Sequence, residues 1–287
     1  AQDAGGVASV SFTVDDVPAG TAIAAPYRAR IAVPASRGPG SVLSIAATAT
    51  DTSSLTASAT ATTVVVGATA GLGLVTGEVY DDTTGLPIAG ATVRSVTEAG
   101  RAATTDARGR YALALPSGPA RILVDRAGFT QVERGVAVPD RGAVEALDAR
   151  LTPLAPAATI AAALGGEAGG TRALARFPSG ALTADAAVRV TRIGAQGLPG
   201  VLPVGWSPVA ALDLRVEPQA PMAVPATVSL PDELAVADGT PLVVASWDTS
   251  TGAWRVLGTV TRQGPTLTID VASPGQLAWL VADVVPV

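Results

Sequence analysis

The 287-residue sequence contains no cysteine, no histidine, no lysine and no asparagine. Each absence removes a class of chemistry. Without cysteine there is no disulfide, thiol nucleophile or thiolate metal site. A missing disulfide does not argue against secretion, because larger domains need no staple. Without histidine a Ser-His-Asp triad cannot form, and His-ligated zinc is excluded. Without lysine there is no Ser-Lys dyad, Schiff base or P-loop. Aromatic residues make up only 3% of the chain. A glycosidase groove with aromatic walls around a carboxylate pair is therefore not expected. The inventory points away from an enzyme, and no catalytic residue or cofactor site is assigned.

Charge and hydropathy set further bounds. The net charge is −5, and all nineteen basic residues are arginine. No basic stripe exists for nucleic acid. No apolar run reaches the roughly 18 residues of a membrane span. The longest candidate, Ala155 to Gly166, is short and ends in glycines. The chain does not open on a basic start followed by an apolar block; if the protein is secreted, the leader is expected to be removed or to lie upstream.

What is present reads as strand after strand. Short apolar or alternating runs are closed by Gly, Pro, Asp and Ser, the pattern of antiparallel β-domains. In residues 1–67, Val10 to Val14 alternates as a half-buried strand does. Asp15-Asp16 and Pro18-Ala19-Gly20 read as turn, Tyr27 to Val33 as a second alternating strand. Val42 to Asp51 and Leu55 to Val66 follow, the Thr/Ser/Ala alternation suiting a solvated sheet face. Residues 67–71 read as a linker. A central block spans 72–153, and residues 154–170, rich in Ala and Gly, read as a second joint. In the third block, 157–287, strands are expected at Val188–Ile193, Pro225–Leu230, Leu242–Trp247, Trp254–Val260, Leu267–Val271 and Gly275–Val281. The fold class is all-β, with three tandem β-sandwich modules of immunoglobulin-like or transthyretin-like type.

The phrases Phe12-Thr13-Val14-Asp15, Ala25-Pro26-Tyr27 and Ala46 to Asp51 resemble bacterial immunoglobulin-like repeats. Such a sandwich takes about seven strands. About four are visible before Val66, so the first strands lie outside this stretch or a neighbour supplies them. The central block carries Gly77, Val79, Asp81, Thr84-Gly85, Pro87-Ile88, Gly90-Ala91, Val93, Thr105-Asp106, Gly109, Tyr111, Leu113, Pro116-Ser117-Gly118, Gly128-Phe129 and Leu147 to Leu151. In that register it resembles the carboxypeptidase regulatory-like domain, a transthyretin-like sandwich related to the B-type repeats of collagen adhesins. Among small neighbours, Tyr111 and Phe129 read as the large core members. Adhesin repeats of this kind often carry a Lys-based isopeptide crosslink, which a lysine-free chain cannot form. Phe177 to Ala181, Trp254 to Leu257 and the last apolar strand resemble the β-sandwich domain of ankyrins and netrin receptors. Some relatives of that domain cleave themselves at a His-Phe-Ser step, which a chain without histidine does not contain.

Few residues stand out as a site. Asp81-Asp82-Thr83-Thr84-Gly85, Asp51-Thr52-Ser53 and Asp248-Thr249-Ser250 do not supply the paired Asp-Thr-Gly of an aspartic protease. They read as turn aspartates that bond their own backbone. Asp15, Asp16, Asp81 and Asp82, with Asp51 and Asp106, lie at strand ends, where calcium could be held, though no established calcium-loop spacing is present. Trp206, Trp247, Trp254 and Trp279 all fall in the third block. Trp254 and Trp279 read as core, and Trp206, beside Gly205 and Pro208, is the candidate for glycan contact.

The leading functional expectation is a non-enzymatic stalk or assembly segment of a secreted or cell-surface bacterial protein. Its partners would be other protein domains or identical subunits meeting at sheet edges. The alternatives are a filament subunit joined by strand donation, the plug region of a teneurin-like shell of tyrosine-aspartate repeats, or a glycan-binding adhesin module.

Overall fold

A computed structural model describes residues 6–38, 41–65, 71–219, 222–234 and 236–283. They are nearly all β, apart from one 3-10 turn at Ala195–Gly197. Two compact units divide the chain, Ala1–Ala70 and Gly71–Val287. Most of the expected linker, residues 67–70, lies outside the described residues.

The first unit contains β1 (Val7–Val14), β2 (Val17–Ala22), β3 (Val42–Asp51) and β4 (Thr56–Val64). They form one antiparallel sheet in the order β2-β1-β3-β4. Val10, Val14 and Leu43 are its buried apolar side chains among the described residues. Two sequence expectations are corrected here. The β1–β2 turn is Asp15-Asp16 alone, since Val14 pairs with Val17 and both aspartates have positive φ. That is the geometry of a two-residue hairpin loop. Pro18-Ala19-Gly20 is part of β2, an edge strand, where proline is tolerated. Tyr27 to Val33 is not a strand. Pro26 and Pro34 bracket it, and alternation without a partner to pair with forms no ladder. The segment is instead tied down by its side chains. The Tyr27 hydroxyl donates to the Val7 carbonyl at 2.7 Å, and Arg37 pairs with Asp15 at 2.6 Å.

The second unit begins with β5 (Leu72–Asp81), β6 (Thr92–Ser95), β7 (Ala102–Thr104), β8 (Arg110–Pro116), β9 (Gly118–Asp125), β10 (Val132–Val138), β11 (Ala143–Glu145) and β12 (Ala149–Leu151). One sheet runs β10-β9-β6-β7. In the other, β5 pairs antiparallel with β8 and parallel with β11 and β12. Alternation builds the core directly. Val75 and Val79 of β5, Tyr111, Leu113 and Leu115 of β8, Val93 of β6 and Ile122 and Val124 of β9 meet in one buried cluster. Gly77 stands between the two inward valines because a Cβ there would come within 2.5 Å of the Tyr111 hydroxyl. The large ring and the missing side chain are one packing decision. Phe129, expected in the core, is only partly buried and packs at its margin.

The remainder holds β13 (Ala158–Ile160), β14 (Gly166–Gly170), β15 (Ala173–Phe177), β16 (Ala186–Ile193), β17 (Trp206–Glu217), β18 (Ala226–Pro231), β19 (Pro241–Asp248), β20 (Ala253–Thr261), β21 (Thr266–Val271) and β22 (Gly275–Ala282). A six-stranded sheet, β13-β16-β17-β22-β19-β20, packs on a four-stranded one, β14-β15-β18-β21. Trp279 fills the centre of that core, with Leu212, Leu214, Leu230 and Leu242 around it. The expected joint at 154–170 is corrected: it contributes β13 and β14, one strand to each sheet. Glycine and alanine carry little strand signal. At Gly169 they are required, because a Cβ would meet the Ala173 carbonyl at 2.2 Å.

Gly109 offers a test of this packing. Its φ is +73°, and a Cβ would lie 2.5 Å from the Val79 carbonyl. Gly85 has a similar φ of +70° but open space around it. Gly85→Ala should cost roughly 1–2 kcal/mol for conformation alone. Gly109→Ala should cost clearly more, because β5 must also shift. Equal urea midpoints for the two variants would contradict this account.

Candidate functional site: a polar row in the seam between two sandwiches

The two sandwiches of the second unit, residues 72–151 and 158–282, meet along a seam. One side of it is the outer face of the six-stranded sheet. Residues two apart on a strand share a face. Thr191 of β16 pairs with Asp213 of β17, and Asp213 with Gln276 of β22. Ser246 pairs with Leu277, which sets Trp247 of β19 beside Gln276, and Trp247 pairs with Trp254 of β20. Thr191, Asp213, Gln276, Trp247 and Trp254 therefore form one row across five strands. The next row on that face is Ile193, Ala211, Ala278 and Ala245. It is buried together with Leu198 and Leu280, and Trp206 packs partly exposed against it. The apolar row packs against Leu198, Leu202 and Trp206, and the polar row carries the side chains that hydrogen-bond.

The opposite side of the seam comes mainly from β10 and its flanks. The Glu133 N–H donates to the Pro199 carbonyl at 2.6 Å. Arg215 Nη2 donates to the Phe129 carbonyl at 3.2 Å, and Gln276 Nε2 to the Gln131 carbonyl at 3.0 Å. Arg121 Nη2 donates to the Ser250 carbonyl at 3.1 Å. The buried Arg134 guanidinium spans both sandwiches, donating to the carbonyls of Glu133, Asp148, Leu198 and Pro199. Burial lowers its pKa to about 10.

Three acids occupy the seam, and all are pushed upward by burial. Glu133, 4% exposed, pairs with Arg121 at 3.0 Å, and both Arg121 and the Trp247 indole partly offset its burial. Asp213, 3% exposed, pairs with Arg215 at 2.9 Å, which offsets its burial in part. Asp82 is raised by burial against the charge of Arg150 and a hydrogen bond from the Gly194 N–H. Gly194 and Gly197 both lie against its carboxylate, where a Cβ would come within 2.9 Å. Asp82 thus reaches from the end of β5 to the 3-10 turn of the other sandwich.

A cavity of about 350 Å³ opens on the seam, lined by Gln131, Asp213, Arg215, Trp247, Thr249 and Gln276 among others. A second, of about 560 Å³, is lined by Arg134, Asp148, Arg150, Gln196 and Leu202 among others. A third, of about 540 Å³, lies in the 158–282 sandwich beside Glu167, Arg176, Phe177 and Asp270.

The residues singled out from sequence fall as follows. Asp15 accepts hydrogen bonds from the Ser44 N–H and from Arg37, which hold its carboxyl below the usual range. Asp16 is its exposed neighbour in the same hairpin. Asp81 Oδ1 accepts from the N–H groups of Thr83 and Thr84, while Asp82 turns to the seam. Asp51 and Asp106 each accept two backbone N–H groups of their own turns. Among the described residues no group of three or more acidic side chains converges as a metal would need. Trp206 lines none of the three cavities, and Trp247 lines the smallest. Asp213, Arg215 and Gln276 were not singled out from sequence. One signal was available: Asp213 is a lone charge inside the apolar run Val209 to Leu214, and such a residue is rarely buried without a partner.

Residues 74–152 match the carboxypeptidase regulatory-like domain family, as the residues of the central block imply. That domain is non-catalytic. No curated protein matches the chain. Among solved structures, the chain is similar to BcpA*(D312A), the major pilin subunit of Bacillus cereus, at 14% identity and a TM-score of 0.23, over 50% of this chain and 54% of that one. It is similar to the Bacillus anthracis TIE protein at 10% identity and a TM-score of 0.25, over 96% and 67% of the two chains. A third is SGBP-B of the Bacteroides ovatus mixed-linkage glucan utilization locus, in complex with a mixed-linkage heptasaccharide. There the identity is 9% and the TM-score 0.15, over 96% and 87%. The chain covers about half the length of the pilin subunit, 54%.

The seam acids fix the sign of a pH dependence. Asp82 and Asp213 are raised above 3.8 and Glu133 above 4.5. Between its ordinary and its raised value, each binds more proton folded than unfolded, so stability is gained as pH falls through the raised value and lost as it rises. Asp106 and Asp248 act oppositely: hydrogen bonds hold them below 3.8, and their contribution is lost as pH falls through those lowered values. The melting temperature of the second unit should therefore rise as pH is lowered from neutral toward the ordinary carboxylate range, then fall below it. Glu133→Gln should flatten the rise. A wild-type melting temperature that only falls on acidification, or an unchanged slope in the variant, contradicts the assignment.

Proposed function

We propose that this chain is a non-catalytic structural segment of a secreted or cell-surface protein, and that its second unit works as a stiff double module. The observation that carries the reading is the seam. Domains joined by one linker normally move against each other unless a substantial, well-packed interface holds them. Here backbone and side-chain hydrogen bonds join β10 to the 194–200 segment, Arg121 of β9 to the β19–β20 turn, and Gln131 before β10 to Gln276 of β22, beside an apolar row. A force applied along such a pair is shared by both sandwiches. The missing catalytic inventory and the non-catalytic family match of residues 74–152 agree with a mechanical role.

A second reading, assembly through an added strand, is favoured by the first unit. Its described residues form a single sheet, and β4 is an edge strand exposed on both faces over Thr56–Thr63. Unpaired edges of this kind accept strands from other chains. Sedimentation of the purified chain over a wide concentration range tests it: assembly should grow with concentration, and a monomer throughout would remove this reading.

For the leading reading, calorimetry should show residues 71–287 unfolding in one cooperative transition. Glu133→Ala leaves Arg121 without its buried partner, a change that costs about 3–5 kcal/mol in a fully buried pair. The cost here should lie at or below the lower end, because Arg121 is a quarter exposed. The variant should separate the transition into two. Two transitions already in the wild type would overturn the stiff-module reading.

A further inference from the structure

We propose that the 350 Å³ seam cavity binds a neutral sugar ring, a hexose or N-acetylhexosamine unit of a glycan. This is separate from the mechanical role and does not depend on it. The cavity volume falls at the lower end of the roughly 300–1,000 Å³ typical of small-molecule sites.

One wall is a fixed aromatic plate. A Cβ at Gly200 would sit 2.1 Å from the Trp247 ring, so its six-membered edge rests on that backbone. Its indole also hydrogen-bonds Glu133. Trp254 meets it edge-on at 5.4 Å. These three contacts restrict the ring before a ligand arrives, which lowers the cost of ordering it on binding. An aromatic face is apolar and electron-rich, which suits the C–H face of a pyranose.

Polar groups line the same cavity in the arrangement a polyol requires. Asp213 lies in the cavity wall, nearly buried, and accepts from Arg215 Nε at 2.9 Å. Gln276 spends its amide N–H on the Gln131 carbonyl, which leaves its carbonyl oxygen as an acceptor. Thr249 contributes a hydroxyl, donor and acceptor both, at the exposed rim. The charges exclude the other ligand classes. Two acids, Asp213 and Glu217, line the cavity with Arg215; a metal cation would face that guanidinium and find no cluster of three acids among the described residues. An anion would face Asp213, with Arg215 already bonded to that carboxylate and to the Phe129 carbonyl. A neutral, hydroxyl-rich ligand with one apolar face fits what remains. The other two cavities do not offer this pairing. No aromatic side chain lines the 560 Å³ one, and in the 540 Å³ one Phe177 belongs to the sandwich core.

The test is to probe an array of neutral hexose and N-acetylhexosamine oligosaccharides, with sialylated and sulfated ones alongside, using the full chain. Hits are then titrated while tryptophan fluorescence is read. Binding to at least one neutral glycan, with an emission change, is expected. Gln276→Ala and the rim variant Thr249→Val should each weaken it about tenfold or more, and Trp206→Ala should leave it unchanged. Thr249 is exposed, so its variant keeps the test valid if Gln276→Ala lowers the melting temperature. No neutral glycan bound, binding of acidic glycans only, or binding lost in Trp206→Ala but kept in both cavity variants would each overturn the proposal. The single-transition result above is independent of all these outcomes.

Discussion

The second unit depends on covering the outer face of one sheet. A two-layer sandwich ordinarily hides one face of each sheet and leaves the other to water. Here the six-stranded sheet is needed on both faces. Its inner face packs on Trp279 and its leucines, and its outer face carries Ile193, Ala211, Ala245 and Ala278, which are also buried. Leu198, Leu202 and Trp206 pack on that apolar row, while the 72–151 sandwich bonds to the polar residues beside it. Once that apolar row is sealed, the row beside it, Thr191 to Trp254, loses water as well. A buried polar group left unbonded is costly, and Thr191 accepts from the Ala155 N–H, Asp213 from Arg215, and Gln276 donates to the Gln131 carbonyl, while the Trp254 indole N–H is buried without a partner.

The buried charges of the seam follow from that constraint. Glu133, Asp213 and Arg134 would each be expensive alone. Each has a bonded neighbour: Arg121 for Glu133, Arg215 for Asp213, and four carbonyls for Arg134. Pairs of this kind contribute little net stability compared with apolar packing, but they tolerate few alternative arrangements. Each acid pair lies within one sandwich; what fixes how the sandwiches meet is the set of bonds that cross, from Arg134 to Leu198 and Pro199, Arg215 to Phe129, Gln276 to Gln131 and Arg121 to Ser250. The same economy of volume runs through the cores. Glycine at position 77 admits Tyr111, and glycine at position 200 admits Trp247. Two of the chain's few aromatic residues are thus each placed against a position with no side chain.

Much of this was readable in the residues. The turns at Thr84-Gly85 and Asp106 to Gly109 carry the positive φ expected of their glycines. The strands at Val188–Ile193, Leu242–Trp247 and Gly275–Val281 fall where alternation or apolar runs put them. β17 was not readable. It is buried on both faces, so Val209 to Leu214 shows no alternation, and period-2 reasoning is blind to it. The reverse failure is Tyr27 to Val33, which alternates well and has no strand to pair with.

Sequence alone determined the all-β class, the turn chemistry and the absence of Cys, His and Lys chemistry, because each depends on local geometry or on inventory. Tertiary structure decided which of the four tryptophans meets polar groups in a cavity, and which acids are buried. Asp213, Gln276 and Trp247 stand far apart in the chain and become neighbours only through the β17–β22–β19 register. A hydrogen-bond register between strands is a non-local fact. No window of sequence contains it, and one residue of slip would turn the whole row to the opposite face.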